Sequence, residues 1–242
     1  MRILVNGALG RMGKEVIATQ EKNGVEYIGV DLHAQPGSGL YASLAECSEP
    51  VDAIVDFSSH LATKDLTAYA AAHKLPLVIA TTGQTEEEMD LIRACAKQVP
   101  VLKSGNLCMG IALLMHLARE AARFLPQADI EIVETHHNQK ADAPSGTALL
   151  LADAIREVRP ELSNNLGRSG HGKREPNEIG IQAVRLGSIV GRHEIYFGSA
   201  GQQITLSHEA FDRSHFADGA LTAARFVCKS EPGLYSMDDM LK

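Results

Sequence analysis

One stretch of the chain concentrates side chains that could bind an anion and donate a proton. Residues 134–148 read ETHHNQKADAPSGTA and hold two histidines and a lysine. An imidazole is a suitable general acid near neutral pH, because its reference pKa is about 6.5. A lysine ammonium beside it would attract negative charge. The stretch therefore predicts a site for an anionic substrate that must also receive a proton.

The end of this stretch predicts the start of a helix. Ser145 is a favourable N-cap residue, and the apolar run at 148–152 supports a helix that begins near Gly146. The first backbone N–H groups of a helix have no partner within the helix and lie at its positive end, so they bind carboxylate or phosphate. Lys140 would add a full positive charge there.

A glycine-rich loop near the N-terminus predicts a dinucleotide site. Residues 7–13 read GALGRMG, after an apolar strand at 3–5 and before a helix expected over 11–22. A second strand, 26–30, ends at Asp31, whose carboxylate could accept hydrogen bonds from a ribose. The glycines would allow a tight turn and a close approach of the backbone to a pyrophosphate. The alternative is a plain glycine turn with Asp31 in solvent.

Strand and helix continue to alternate up to about residue 102, which predicts a parallel sheet with helices on both faces. Such sheets bind ligands at the carboxyl ends of their strands, here at the segments 56–58 and 80–83. Further strands are expected at 51–57, 77–79 and 101–102, and helices at 59–73 and 85–98.

The second half of the chain has a different pattern, typical of an α+β domain with a mixed or antiparallel sheet. Helices are expected at 109–124 and 146–158 and from about 213. Strands are expected at 129–134, 179–186, 193–197 and 203–207. Between them, the polar and basic segment 159–174 could be an anion site or a mobile or assembly loop.

Composition excludes several classes of protein. A net charge of −7 argues against binding to nucleic acid or to an anionic membrane. No apolar run approaches the ~20 residues of a membrane-spanning helix, and we expect no signal peptide, because the sequence enters the first strand at once. The cysteines are scattered, which predicts reduced thiols in the cytoplasm. A zinc site at His136 and His137 is not expected, since adjacent strand residues point to opposite faces.

The stretch 134–148 resembles, without a gap, the signature E-x-H-H-x-x-K-x-D-x-P-S-G-T-A of the 4-hydroxy-tetrahydrodipicolinate reductases, long called dihydrodipicolinate reductases. Segments in family order cover nearly the whole chain, including GNLCMG at 105–110, GRHE at 191–194 and GLYSMDDML at 233–241. The sequence departs from the family at Leu107 and Cys108, where Phe and Ser are common, and at Ala80, where Gly is usual.

The resemblance implies a Rossmann-like α/β domain and an α+β domain. The parallel-sheet dinucleotide-binding domain would comprise 1–107 and 213–242, with the C-terminal helix packed back on it. The substrate-binding and tetramerisation domain, with a mixed sheet, would comprise 108–212. The protein would then be a cytoplasmic homotetramer.

The resemblance also implies an activity: the reduction of (2S,4S)-4-hydroxy-2,3,4,5-tetrahydrodipicolinate to tetrahydrodipicolinate by NADH or NADPH, in the diaminopimelate route to lysine. Hydride would add to one ring carbon, and His136 would supply a proton to the adjoining one. Lys140 would bind a carboxylate of this small dicarboxylate and stabilise charge. His137, Ser145, Gly146 and Thr147 would hold the carboxylates.

The expected cofactor-binding residues lie in the glycine loop and at the strand ends, and NADH is the expected preference. Asp31 favours a free ribose diol and repels a 2′-phosphate. Neither of the next two residues, Leu32 and His33, is an arginine that could bind that phosphate. Arg11 could partly compensate, so NADPH should also be usable. The full set is Gly7, Ala8, Gly10, Arg11, Met12, Gly13, Asp31, Phe57, Ala80, Thr81, Thr82, Asn106 and Met109.

Two other classes of function stay open at this stage. One is a different nicotinamide enzyme on the same scaffold, such as an amino-acid or aldehyde dehydrogenase. The other is a non-catalytic NAD-binding sensor that retains the fold. Assays with a panel of substrates would distinguish a different nicotinamide enzyme from the reductase. Cofactor binding without turnover would favour the sensor.

Overall fold

The structure is a computed structural model that describes residues 1–241, apart from the side chains of residues 20 and 21. The chain forms two compact units. The first, called unit 1 below, contains residues 1–109 and the chain from 214 onward. The second, unit 2, contains residues 110–213.

The regular elements alternate between strand and helix in the first half of the chain and are rich in strands in the second. The strands are β1 (Arg2–Asn6), β2 (Glu26–Val30), β3 (Ala53–Asp56), β4 (Leu77–Ile79), β5 (Pro100–Lys103), β6 (Asp129–His136), β7 (Ser163–Asn165), β8 (Glu178–Arg185), β9 (Gly191–Ser199), β10 (Gln202–Ala210) and β11 (Gly233–Tyr235). The helices are α1 (Arg11–Ala18), α2 (Gln20–Asn23), α3 (Thr63–His73), α4 (Glu86–Ala96), α5 (Met109–Phe124), α6 (Gly146–Val158) and α7 (Ser214–Val227).

Unit 1 is built on a six-stranded parallel sheet with the order β11-β5-β4-β3-β1-β2. Its central strands are short and mostly apolar, and one of them, Ala53–Asp56, is buried along its whole length, as expected for a strand covered on both faces. The chain moves to one side of β1 to form β2 and to the other side to form β3. This reversal opens a crevice at the carboxyl edge beside β1. The Rossmann-like prediction is confirmed.

Two features of unit 1 differ from the sequence-based prediction. The helix expected over 11–22 is interrupted at Thr19, whose hydroxyl and backbone N–H both bind the carbonyl of Val16, at 2.7 and 3.1 Å. These contacts tighten the turn and separate α1 from α2. The C-terminal segment adds β11, a sixth parallel strand that pairs with β5 and that local periodicity did not predict.

Unit 2 contains a five-stranded mixed sheet with the order β10-β9-β6-β8-β7, which confirms the predicted mixed sheet. Strand β6 is central and pairs in parallel with β8 and antiparallel with β9. Ile130, Ile132, Ile195 and Phe197 are buried on one face of the sheet. Their alternation with half-exposed neighbours is the two-residue period of a strand with one covered face.

The basic segment 159–174 is tied to carboxylates of its own unit. Within it, β7 forms at the edge of the sheet, where a loop was expected. Arg168 bridges Glu131 and Glu178, and Arg174 also contacts Glu131, at 3.4 Å. Because these carboxylates compensate their positive charge, the two guanidinium groups would attract a further anion only weakly.

Helix α7 packs on α1, β3, β4 and β5, so the C-terminal helix returns to unit 1 as the resemblance implied. The packing is close at Gly219, where an added Cβ would lie 1.8 Å from the carbonyl oxygen of Leu107. No helix in the part of the chain that the structure describes is long and apolar enough to cross a membrane.

We expect Gly219→Ala to destabilise the protein, although alanine is the better helix former by about 1 kcal/mol. Overpacking against a backbone carbonyl costs about 1–3 kcal/mol or more and should outweigh that gain. Urea unfolding should show a lower free energy of unfolding. Gly198→Ala, where a Cβ meets no atom within 4 Å, is the control and should cost little. A Gly219→Ala variant that is at least as stable as the wild type would contradict this account of the packing.

Candidate active site

Strand β6 places two polar side chains on the buried face of the unit 2 sheet. Residues two apart in a strand share a face, so Glu134 and His136 point to the same side. Glu134 is fully buried, and His136, the last residue of β6, is 9% exposed. His137 follows outside the strand and is half-buried.

The register of the neighbouring strands brings two more polar side chains to this place. Arg185 in β8 pairs with His136, and His193 in β9 pairs with Glu134. The sequence interpretation assigned no role to Glu134, Arg185 or His193. The E-x-H spacing indicates that Glu134 shares a face with His136. Arg185 and His193 lie about fifty residues away in the sequence, and no local spacing indicates that they reach this cluster.

The carboxylate of Glu134 is the centre of the cluster. His136 Nδ1 lies 2.5 Å from Glu134 Oε2. Both terminal nitrogens of Arg185 donate to the same carboxylate at 2.8 Å, one to each oxygen. The backbone N–H of Ser145 donates to Oε1 at 2.9 Å. One buried carboxylate thus joins the predicted proton donor to the start of α6.

Helix α6 begins where the sequence predicted and with the predicted cap. The Ser145 hydroxyl accepts a hydrogen bond from the backbone N–H of Ala148 at 3.2 Å. Ser145 is buried, Gly146 is exposed and Thr147 is half-buried, so the exposed first turn at Gly146 is the part of the helix start that an anion can reach. Lys140 lies in the preceding loop, and its Nζ is 2.8 Å from Asp142 Oδ1.

His193 is a buried imidazole next to His136. Its Nε2 lies 3.1 Å from the Ser145 hydroxyl, and the two imidazole ring centroids are 5.2 Å apart. Burial, together with the nearby His136, lowers the pKa of His193 to about 3. His193 therefore stays neutral near pH 7 and places no positive charge beside His136.

The predicted cofactor residues of unit 1 gather at the carboxyl edge of its parallel sheet. Gly7 follows β1 with φ +82°, a conformation that favours glycine, and a Cβ on Gly13 would lie 2.3 Å from the carbonyl oxygen of Gly7. Ala8 and Gly10 complete the turn, and Arg11 and Met12 open α1. Asp31 follows β2 and is nearly buried, and its two carboxylate oxygens accept the backbone N–H groups of Leu9 and His33 at 2.9 and 3.0 Å.

The loops after β3, β4 and β5 meet at the same edge. Asp56 ends β3, and its carboxylate accepts hydrogen bonds from the Asn6 amide at 2.8 Å and the Thr81 hydroxyl at 3.2 Å. Burial raises the pKa of Asp56, against the lowering effect of these hydrogen bonds. The remaining predicted residues lie beside these loops: Phe57 after β3, Ala80 and Thr82 after β4, Asn106 after β5, and Met109 at the start of α5.

The start of α1 suits a pyrophosphate group. Gly10 is its N-cap residue and contributes no side-chain hydrogen bond to the first turn, unlike Ser145 at α6. The N–H groups of that turn therefore face a space free of a capping side chain, and a phosphate could accept their hydrogen bonds. A side chain at Gly7 or Gly13 would collide with the backbone of neighbouring residues, so glycine at these positions allows the tight turn before α1. The residues present fit a dinucleotide.

Two family models cover almost the whole chain. The model described as "Dihydrodipicolinate reductase, N-terminus" matches residues 1–107. The model described as "Dihydrodipicolinate reductase, C-terminus" matches residues 110–241.

Individual relatives agree with these models. The chain is 46% identical to a 4-hydroxy-tetrahydrodipicolinate reductase of Caldanaerobacter subterraneus subsp. tengcongensis, with 100% of this chain and 98% of the relative covered. It is 42% identical to one of Clostridium tetani, with 100% and 97% covered. Among solved structures, it resembles a dipicolinate-bound dihydrodipicolinate reductase of Paenisporosarcina sp. TG-14, with a TM-score of 0.84, 27% identity and 99% and 98% covered.

The buried, neutral state of His193 predicts a pH dependence of stability. Its pKa is about 3 in the folded protein against a reference value of 6.5. Between these values the unfolded chain binds a proton that the folded protein does not, so stability is lost as pH falls, by about 1.4 kcal/mol per pH unit. Urea unfolding between pH 8 and 4 should give a shallower pH dependence for His193→Gln than for the wild type. The exposed His171→Gln is the control and should follow the wild type, and parallel curves for all three proteins would contradict the prediction.

Proposed function

This chain belongs to the dihydrodipicolinate reductase family and acts as an oxidoreductase, a 4-hydroxy-tetrahydrodipicolinate reductase of lysine biosynthesis; we propose that the cluster around His136 carries out its proton transfer. The observation that carries this proposal is the hydrogen bond from His136 to the buried Glu134, at the start of a helix that can bind an anion. A proton donor is thereby held next to a place for a carboxylate.

Each residue of the cluster has a role in the proposed reaction. The 4-hydroxyl group of the substrate leaves as water, and a reduced nicotinamide, when bound, would supply a hydride to one carbon of the unsaturated ring that results. As a general acid, His136 gives a proton to the ring carbon next to the one that receives the hydride. Lys140 binds a carboxylate of the dicarboxylate substrate and stabilises the charge that develops in the transition state. His137, Ser145, Gly146 and Thr147 hold the carboxylates, Ser145 chiefly by capping α6 so that its first N–H groups face the anion.

We propose NADH as the preferred cofactor, with NADPH also accepted. The carboxylate of Asp31 lies at the end of β2, beside the glycine loop. It would accept hydrogen bonds from a free ribose diol and repel a 2′-phosphate. Arg11, exposed at the start of α1, would offset part of that repulsion.

We also propose that the protein works as a cytoplasmic homotetramer. Strand β10 is a nine-residue strand at the edge of the unit 2 sheet, and most of its residues are exposed. A long edge strand of this kind presents backbone groups that another chain can pair with. The cysteines are scattered along the sequence without a disulfide-like spacing, which suits a reducing compartment.

Replacing His136 tests the central assignment. We expect His136→Gln to lower kcat by ~10² or more while NADH affinity and the folded state stay unchanged. The assay follows nicotinamide oxidation with substrate made in situ by the preceding synthase from pyruvate and aspartate semialdehyde. The exposed His171→Gln is the matched control. Full activity in His136→Gln would refute the assignment. A wild-type protein that binds NADH without turnover would favour the alternative of a non-catalytic NAD-binding sensor.

Replacing Asp31 tests the proposed cofactor preference. Asp31→Asn keeps an acceptor oxygen for the Leu9 N–H but removes the charge. We expect the ratio of kcat/KM for NADPH to kcat/KM for NADH to rise about tenfold, because removal of the negative charge relieves about 1.4 kcal/mol of repulsion between this side chain and a 2′-phosphate. Leu32→Ser, an exposed neutral neighbour, should leave the ratio unchanged. A wild-type enzyme that already prefers NADPH would overturn the proposal.

A further inference from the structure

The buried carboxylate of Glu134 remains ionised at every working pH. Burial alone would raise its pKa, but the hydrogen bonds from His136, Arg185 and the Ser145 N–H outweigh burial and lower the pKa to about 2. An ionised carboxylate can only accept hydrogen bonds. Every group that contacts it must therefore donate.

This requirement fixes the tautomer of His136. Its Nδ1 faces Glu134 Oε2 and must carry a proton. In the neutral ring, Nε2 is then the nitrogen without a proton, and it is the one that can gain and lose the transferred proton. The backbone of Gly191 lies beside Nε2, where an added Cβ would come within 3.1 Å. The missing side chain keeps this nitrogen uncrowded.

The same carboxylate also fixes the position of the anion site. Its Oε1 accepts the N–H of Ser145, which precedes the first turn of α6. Arg185 donates both to Glu134 and to the backbone carbonyl of Asp142, at 2.5 Å. The loop that leads into α6 is thereby tied to the carboxylate that orients His136.

We propose that Glu134, paired with Arg185, is a positioning residue for the reduction: it sets His136 with Nε2 free to carry the transferred proton, and it holds the start of α6 in a fixed relation to that nitrogen. The inference rests on the proposed role of His136 as the proton donor. When the proton leaves Nε2, the Nδ1–H bond to Glu134 persists, so the ring is neutral but keeps its orientation.

The charged and titratable groups around His136 are few and come from identified elements. Glu134 contacts it from β6, and Arg185 from β8 reaches it through Glu134. His193 faces it from β9, and His208 from β10 and Lys140 from the loop before α6 both help to lower the pKa of His193. Glu134 is the one carboxylate among these residues, so its replacement isolates the effect of the negative charge.

The test compares Glu134→Gln with Glu131→Gln. Glu131 lies three residues earlier on the same strand and also pairs with two arginines, but it points to the opposite face, away from His136. Nitrogen-15 NMR of the protein without ligands reports which imidazole nitrogen is protonated in the neutral ring. The His136 signals are assigned by their loss in His136→Gln.

We expect the wild type and Glu131→Gln to hold the proton on Nδ1, and Glu134→Gln to move a large part of it to Nε2. In the assay described above, kcat of Glu134→Gln should fall at least about tenfold, since a carboxylate that orients a catalytic histidine is costly to replace by an amide. KM for NADH should stay unchanged, because Glu134 lies in the other unit from the dinucleotide site. Glu131→Gln should match the wild type in both measurements.

A second variant guards against a folding defect in Glu134→Gln, where the half-buried Arg185 would lose its counter-charge. Glu134→Asp keeps the charge but withdraws the carboxylate by one methylene group, and it should stay folded with a lower kcat. An unchanged tautomer together with unchanged kcat in either folded variant would overturn the inference. Such a result would leave the role of His136 intact, because the His136→Gln assay tests that role separately.

Discussion

A charge buried without compensation is too costly for a folded protein, and this constraint governs the arrangement of unit 2. Glu134 is fully buried and ionised, so its donors must arrive with good geometry. They come from the end of β6, from β8 and from the residue that caps α6. The strand register and the start of the helix therefore have to agree with one another. The hydrogen bonds to this one carboxylate bring the proposed proton donor, His136, next to the proposed anion-binding start of α6.

The two helix starts with predicted anion sites are capped differently, and the difference suits different ligands. The first turn of α1 follows Gly10 and receives no side-chain cap, so a pyrophosphate could take that place. The first turn of α6 is capped by Ser145, which is itself held by Glu134. A capped and anchored helix start is rigid, as the positioning of a reacting substrate requires. An uncapped start leaves its donors to the ligand.

Local sequence signals were sufficient to predict the elements whose formation depends on residues close together in the chain. The glycine loop, the strands β1 to β5 and the cap at Ser145 follow from turn chemistry, apolar runs and helix capping, and the structure contains them. Strand β11 and the sixth place in the sheet depend on pairing with β5, more than a hundred residues away. Arg185 and His193 reach the site only through strand register. No spacing in the sequence encodes that register, although the shared face of Glu134 and His136 was readable from the period of a strand.

The position of one hydrogen atom tests this account most directly. Neutron diffraction from crystals of the perdeuterated protein near neutral pH would locate the deuterium between Glu134 and His136. We expect deuterium bonded to His136 Nδ1 and none bonded to either carboxylate oxygen of Glu134. Deuterium on the Glu134 carboxyl group, or a His136 Nδ1 without deuterium, would contradict the claim that an ionised, buried carboxylate organises the site.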